Sequence, residues 1–212
     1  MTHIITATGA EYHISGHGLR PVKAEDIAHQ LAQINRFTGA CIRPYSVAEH
    51  SLLVWELAAR AGASTVVQLA ALLHDAHEIY TNDLASPAKQ AVDSVNNAHA
   101  WCTFEYIHKQ HVRRAFGLLT TFAVHAEQIR EWDLIALATE RRDLLPYSKL
   151  DHLPWHVLRD DTDNPVQPAD IDLNTNFRET RSWKHWRTEF ALRLEQLQHT
   201  LAREQALATE AA

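Results

Sequence analysis

Residues 72–78 read Leu72-Leu73-His74-Asp75-Ala76-His77-Glu78, placing four groups able to bind a metal or move a proton at the end of one apolar run. Burying such a cluster is costly unless it is paired or put to use. On a continuous helix each residue turns by about 100°, so His74 and Asp75 diverge by about that angle while Glu78 projects between them, one turn further on. A carboxylate then stands over a two-ligand metal seat. Imidazole nitrogen and carboxylate oxygen are ordinary ligands for a divalent transition metal, and an acid just outside the ligand shell suits the deprotonation of water in a metal hydrolase. The rival is a polar helix end capped in solvent.

Two further ligand candidates emerge where an ionisable residue interrupts an apolar helix face. Ser46-Val47-Ala48-Glu49 reads as a capping box that starts a helix carrying Leu53, Val54 and Leu57. His50 lies on that face, one turn before Val54; a hydrogen-bonded core histidine is the alternative. Asp133 sits inside Trp132-Asp133-Leu134-Ile135-Ala136-Leu137-Ala138, where a carboxylate must be paired or metal-bound, the plain alternative being an ion pair with Arg130 or Arg141.

In chain order these residues spell H…HD…D, and the sequence resembles the HD-domain phosphohydrolases, more narrowly the bacterial and phage branch of 5′-deoxynucleotidases and dATP triphosphohydrolases. The likeness runs from about Ile27 to Leu144. Its blocks are Asp26-Ile27-Ala28-His29 with Ile34-Asn35-Arg36-Phe37, Tyr45-Ser46-Val47-Ala48-Glu49-His50-Ser51, Leu73-His74-Asp75-Ala76-His77-Glu78, Asp83-Leu84-Ala85-Ser86-Pro87-Ala88-Lys89, and the run from Trp132 through Glu140 to Leu144. A lone HD pair is weak evidence. Five blocks in the family's order and similar spacing are specific.

The resemblance implies one divalent transition metal per chain (manganese, cobalt, zinc or iron) held by His50, His74, Asp75 and Asp133. It implies a catalytic role for Glu78 at the attacking water, with Asp83 assisting at the nucleotide. Arg36 matches a phosphate-binding arginine, a job suited to its planar fork of donors. Phe37 matches a tryptophan beside sugar and base, and Lys89 adds a point charge near the phosphates. The substrate class implied is a deoxynucleoside monophosphate or triphosphate, and the implied assembly a homo-oligomer. Three positions depart from the pattern: His77 and Trp132 replace smaller residues, and Gly39 leaves the base pocket without a side chain.

Composition fits a cytoplasmic enzyme with one good core. The chain has 212 residues, 46% hydrophobic, and no apolar run reaches the roughly 18 residues of a membrane span. Met1-Thr2-His3 does not open a signal peptide. A net charge of −6 argues against a stable nucleic-acid partner, which would need a basic face, whereas a small nucleotide needs only local positive charge. His111-Val112-Arg113-Arg114 reads as a solvated helix face. Cys41 and Cys102 form no CxxC pair and read as buried small residues.

The fold class expected is all-α: a single HD-type helical bundle over residues 1–212, its motif core at 26–145, with a short N-terminal arm or hairpin. Residues 3 to 14 alternate in polarity, with Gly9 and Gly16 nearby. Ile27, Leu31 and Ile34 mark a first helix stopped near Gly39. The pattern predicts further helices from Ser46 to Gly62, from Ser64 to Tyr80, and near 92–116 and 124–145. Residues 151–174 read as a loop; Asp160-Asp161-Thr162-Asp163-Asn164-Pro165 lacks the glycine of a calcium loop and has Pro165 at a ligand position. Trp183, Trp186, Phe190, Leu194, Leu197 and Leu201 form the core stripe of a docking helix at about 176–205, and Ala202 onward is expected to fray.

Two other functions compete. A zinc metalloprotease needs two histidines four apart with glutamate beside the first, which His74, His77 and Glu78 do not supply. A non-catalytic, metal-containing nucleotide sensor has the same ligands, and Glu78 with Asp83 beside them favours turnover.

Overall fold

The computed structural model describes residues 3–15, 21–95 and 99–210. Gly16 therefore lies outside the described residues. Strands β1 (His3–Ile5) and β2 (Glu11–His13) pair antiparallel, His3 opposite His13. Helices follow as α1 (Ala24–Leu31), α2 (Val47–Arg60), α3 (Thr65–Leu72), α4 (Glu78–Thr81), α5 (Ser86–Ser94), α6 (Ala100–Ala115), α7 (Leu119–Leu144), α8 (Asn176–Glu179) and α9 (Trp183–Glu210). The architecture is all-α with a small hairpin, as the periodicity predicts.

Helix α2 is the hub and packs on α3, α7 and α9. Its N-terminus is fixed by the Ser46 side chain, which accepts from the Glu49 amide at 3.2 Å. Only half of the predicted capping box forms. Glu49 turns away from the helix end to bind Arg43 at 2.9 and 2.7 Å and Arg178 at 2.9 Å, tying the chain ahead of α9 to α2. At the other end Gly62, at φ +72°, adopts the left-handed conformation that stops the helix. Leu53 and Val54, at 1% and 0% exposure, face Leu69, Leu72 and Phe190 in the core. Burying each such side chain contributes about 1.5–3 kcal/mol, which far exceeds any helix-propensity term here.

The predicted helix from Ser64 to Tyr80 is broken. α3 ends at Leu72, and the Ala76, Glu78 and Tyr80 amides donate to the Leu73, Asp75 and His77 carbonyls, three residues back. His74 and Asp75 thus lie on tight turns and are not splayed by helical geometry, because the chain at this point is wound to bring both toward α2. The first helix is also shorter than expected, with Ile34 beyond its end and bonded to the start of α2 through Val47. Residues 92–116 divide into the end of α5 and α6.

α9 docks Trp186, Phe190, Leu194 and Leu197 on α1, α2 and α3. The helix continues to Glu210 rather than fraying at Ala202, with that last stretch exposed. Cys102 is exposed and Cys41 half-buried, so neither is the buried small residue expected. The supposed solvated face at 111–114 is mixed: Val112 is buried and the Arg113 guanidinium lies 3.9 Å from the Phe122 ring centroid. A second, smaller core of Leu134, Ala138, Leu158 and Val166 fixes part of the 151–174 segment against α7. Among the described residues no helix is long and apolar enough to cross a membrane.

Candidate metal centre

Helix α2 carries His50, the turn after α3 carries His74 and Asp75, and α7 carries Asp133. Their ligand atoms converge. His50 Nε2 lies 3.2 Å from His74 Nε2 and 3.2 Å from Asp133 Oδ1; His74 Nε2 lies 3.1 Å from Asp75 Oδ2 and 3.8 Å from Asp133 Oδ1. His50, His74 and Asp133 form one group able to hold a cation. Asp75 Oδ2 lies 3.6 Å from His50 Nε2 and borders this group, but its ligand atoms fall in a second cluster with His77 and Glu78. Of the two arginines that could have paired with Asp133, Arg141 is engaged with Asp160.

Outer contacts define the tautomers. His74 Nδ1 is 2.8 Å from the Ala71 carbonyl, which can only accept, so this nitrogen carries the proton. The carbonyl belongs to the last turn of α3, where helix ends leave acceptors without an intrahelical donor. His50 Nδ1 is 2.5 Å from Glu140 Oε1, on a carboxylate held below its ordinary pKa: burial opposes ionisation, but Arg36 and His50 outweigh it. Both neutral imidazoles then aim bare Nε2 lone pairs at one another across 3.2 Å. That contact is repulsive unless a proton or a metal cation lies among them, and the donor set fits a divalent transition metal. In the protein alone the carboxylates supply the same pull on protons. Burial lowers the pKa of His74, yet Asp75 and Asp133 raise it well above the usual imidazole value, and His50 is raised as well.

Glu140 is a residue that sequence reading left without a role. Fully buried, it also accepts from the Tyr45 hydroxyl at 2.9 Å and from Arg36 Nη2 at 3.1 Å. A signal was present, because seven residues on from Asp133 returns to within about 20° of the same helix face.

Arg36 sits at the edge of the cluster with Nη1 3.8 Å from Asp75 Oδ2, and Phe37 lies beside it, its ring centroid 5.3 Å from the guanidinium carbon. Phe37 and Thr38 have φ of 54° and 52°, two consecutive left-handed non-glycine residues, which strains this turn. Glu78 is 2% exposed, and its Oε2 has no hydrogen-bond partner. Burial, then Asp75 and Asp83, hold its carboxyl well above the ordinary range. Asp83 is raised for the same first reason and feels Arg36, Asp75 and His50.

Lys89, expected to add a point charge near the phosphates, is ion-paired. Its ammonium is 2.6 Å from Glu105 Oε1, on a carboxylate that also takes Lys109 at 2.9 Å. It still senses Glu78 and Asp75 electrostatically. His77 points to the same side, 3.4 Å from Glu105 Oε1, and burial lowers its pKa to about 4. It is therefore neutral near pH 7, and it stands beside Asp75 and Glu78 in a second cluster of potential ligand atoms.

The HD domain family matches residues 47–146, a span that contains His50, His74, Asp75 and Asp133. The uncharacterised protein YfdR of Escherichia coli is 33% identical over 144 residues, covering 68% of this chain and 73% of that protein. An uncharacterised protein of Rhodobacter capsulatus is 51% identical over 75 residues, 34% of this chain and only 38% of its own length. The chain belongs to the HD-domain family, whose members are in general metal-dependent hydrolases. Neither relative's name specifies a substrate.

Proposed function

We propose that this protein is a metal-dependent phosphohydrolase that removes phosphate from deoxynucleotides, with a lean toward deoxynucleoside 5′-monophosphates. The observation that carries the reading is the facing pair of imidazole nitrogens, His50 Nε2 and His74 Nε2, at 3.2 Å with both Nδ1 atoms already committed. His50, His74, Asp75 and Asp133 would hold one divalent ion. When bound, such an ion supplies Lewis acidity, acidifying water and neutralising charge on a phosphoryl group.

The protein's own groups account for the remainder. Glu78 accepts the proton from the attacking water; a carboxylate whose pKa burial raises is a stronger base than an exposed one. Asp75 and Asp133 are partly exposed while His50 and Glu140 are not, so substrate reaches the cluster from the carboxylate side. Arg36 opens onto that side and binds the phosphate, while Glu140 keeps its guanidinium from swinging. Phe37 packs on the sugar or base, and Asp83 orients the nucleotide. Lys89 acts at longer range, its charge shared with Glu105. Among the described residues no glycine-rich polyphosphate cradle accompanies the site, which favours the monophosphate.

The test is phosphate release from a complete panel of nucleoside mono-, di- and triphosphates with manganese, cobalt, zinc, iron and magnesium, run beside metal analysis. About one metal per chain is expected, lost in His74→Ala and Asp133→Ala. Full metal in both variants would dismiss the ligand assignment. A filled site with no phosphate release on any nucleotide would replace the enzyme by a nucleotide sensor.

A further inference from the structure

The segment between α7 and α8 supplies none of the metal cluster, yet it is fastened with unusual care. Arg141 forks onto Asp160, with Nη2 2.8 Å from Oδ1 and Nη1 on Oδ2. Asp160 Oδ2 in turn accepts from the backbone amide of Trp155 at 2.8 Å. Leu158 and Val166, at 0% and 5% exposure, insert between Leu134 and Ala138, one and five residues beyond Asp133 on the helix that carries it. What these contacts hold in place is a ring. Trp155 meets Tyr147 edge-on at 5.9 Å, and the Arg141 guanidinium lies 4.4 Å from the Tyr147 centroid and 5.2 Å from that of Trp155.

Trp155 also stands 6.5 Å from Phe37, tilted 35°. The two rings do not stack on each other, and both are only half-buried. Phe37 is held there by a left-handed turn that a phenylalanine rarely adopts, immediately after the arginine that borders Asp75. An aromatic pair is thus set one residue away from a buried cation beside a cluster of ligand atoms. This is the layout that a phosphate joined by a sugar to a planar ring would match.

We propose that Phe37 and Trp155 together form the stacking surface for the nucleobase, and that Trp155 determines the preference for a nucleotide over a base-free sugar phosphate. This rests on the phosphohydrolase reading above and names the part of the substrate it engages. Stacking on a π-face tolerates every base, so the surface selects for a base without choosing strongly among them.

Trp155→Ala and Trp155→Leu should each raise KM for deoxynucleoside monophosphates by about tenfold while leaving kcat within about twofold, the loss expected for one stacked base. Hydrolysis of 2-deoxyribose 5-phosphate, which has the phosphate and sugar but no base, should be unchanged, and Trp155→Phe should stay near wild type. Leu keeps apolar volume under the segment, so it reads out stacking if the alanine variant does not fold. An equal change on both substrates, or none on either, would overturn the assignment. Nucleotide-induced quenching of tryptophan fluorescence, absent with 2-deoxyribose 5-phosphate and diminished in Trp155→Phe, tests the same contact without turnover. Should the wild type hydrolyse nothing, the enzyme reading fails while this quenching still decides the role of Trp155.

Discussion

His50 Nδ1 donates to Glu140 Oε1 across 2.5 Å, linking α2 to α7 directly behind the cluster. The same carboxylate receives Arg36 and the Tyr45 hydroxyl, so one buried acid sets the tautomer of a candidate ligand and the position of a candidate phosphate-binding group. Replacing it disturbs both at once.

Glu140→Gln should weaken metal binding by about ten- to a hundredfold, the usual cost of removing the outer hydrogen bond of a ligating histidine. Competition against a chelator of known affinity measures this, and a melting curve shows that the variant is folded. Unaltered affinity in a folded variant would mean that Glu140 serves only to neutralise Arg36.

Glu78→Ala should keep metal content near normal and lower turnover by about a hundredfold or more, because a positioned base is typically worth that much. Its unpartnered Oε2 and lack of ion pairs make it dispensable for the fold. If metal and activity vanish together, Glu78 is a ligand and the base must be sought elsewhere, with Asp83 the next candidate.

The parts of this arrangement that could be read from the chain are those with a local signature. His50 and Asp133 each interrupt an apolar helix face, and His74-Asp75 ends an apolar run, so the residues that meet were visible before the fold. Their mutual geometry was not. The helical projection of Glu78 between His74 and Asp75 assumed a helix that stops at Leu72, because bringing both side chains to α2 outweighs the backbone bonds that continuation would have formed. The pairing of Lys89 was not legible because its partner Glu105 is sixteen residues away on another helix. Trp155 lay in a segment without periodicity, and its relation to Phe37 depends on tertiary contacts, the Arg141–Asp160 fork and the packing of Leu158 and Val166 on α7. Glu140 could have been found from its seven-residue spacing to Asp133.

The Arg141–Asp160 fork makes a pH-dependent contribution to stability. The hydrogen bond from Arg141 holds the Asp160 carboxyl below its ordinary pKa. A carboxylate lowered in the folded state stabilises above the unfolded value of about 3.9, and that contribution is lost as pH falls toward the folded value. Asp160→Asn should therefore cost about 1–3 kcal/mol at pH 7 and progressively less below pH 4. Urea unfolding of both proteins at pH 7, 5, 4 and 3 follows the difference. A gap that persists undiminished at pH 3 would show that Asp160 matters through neutral hydrogen bonds to Trp155 and not through charge.

Arg36 provides the sharpest separation of substrate binding from chemistry. Arg36 is 9% exposed, its Nη2 bonded to Glu140 and its Nη1 only 3.8 Å from Asp75. A group so placed costs desolvation that Glu140 only partly offsets, and a phosphate arriving from the open side gives Nη1 a close anionic acceptor. Arg36→Ala should raise KM for deoxynucleoside monophosphates strongly, by about tenfold or more, because a charge-assisted contact to a dianionic phosphate is lost. The singly charged diester bis-p-nitrophenyl phosphate has less charge to hold and should respond less. Arg36→Lys keeps the charge but not the fork, and should fall between wild type and alanine on the monoesters. Steady-state kinetics on both substrates, with metal content measured in each variant, decide the matter. Should kcat fall equally on monoester and diester with KM unchanged, Arg36 acts on Glu140 and His50 rather than on phosphate.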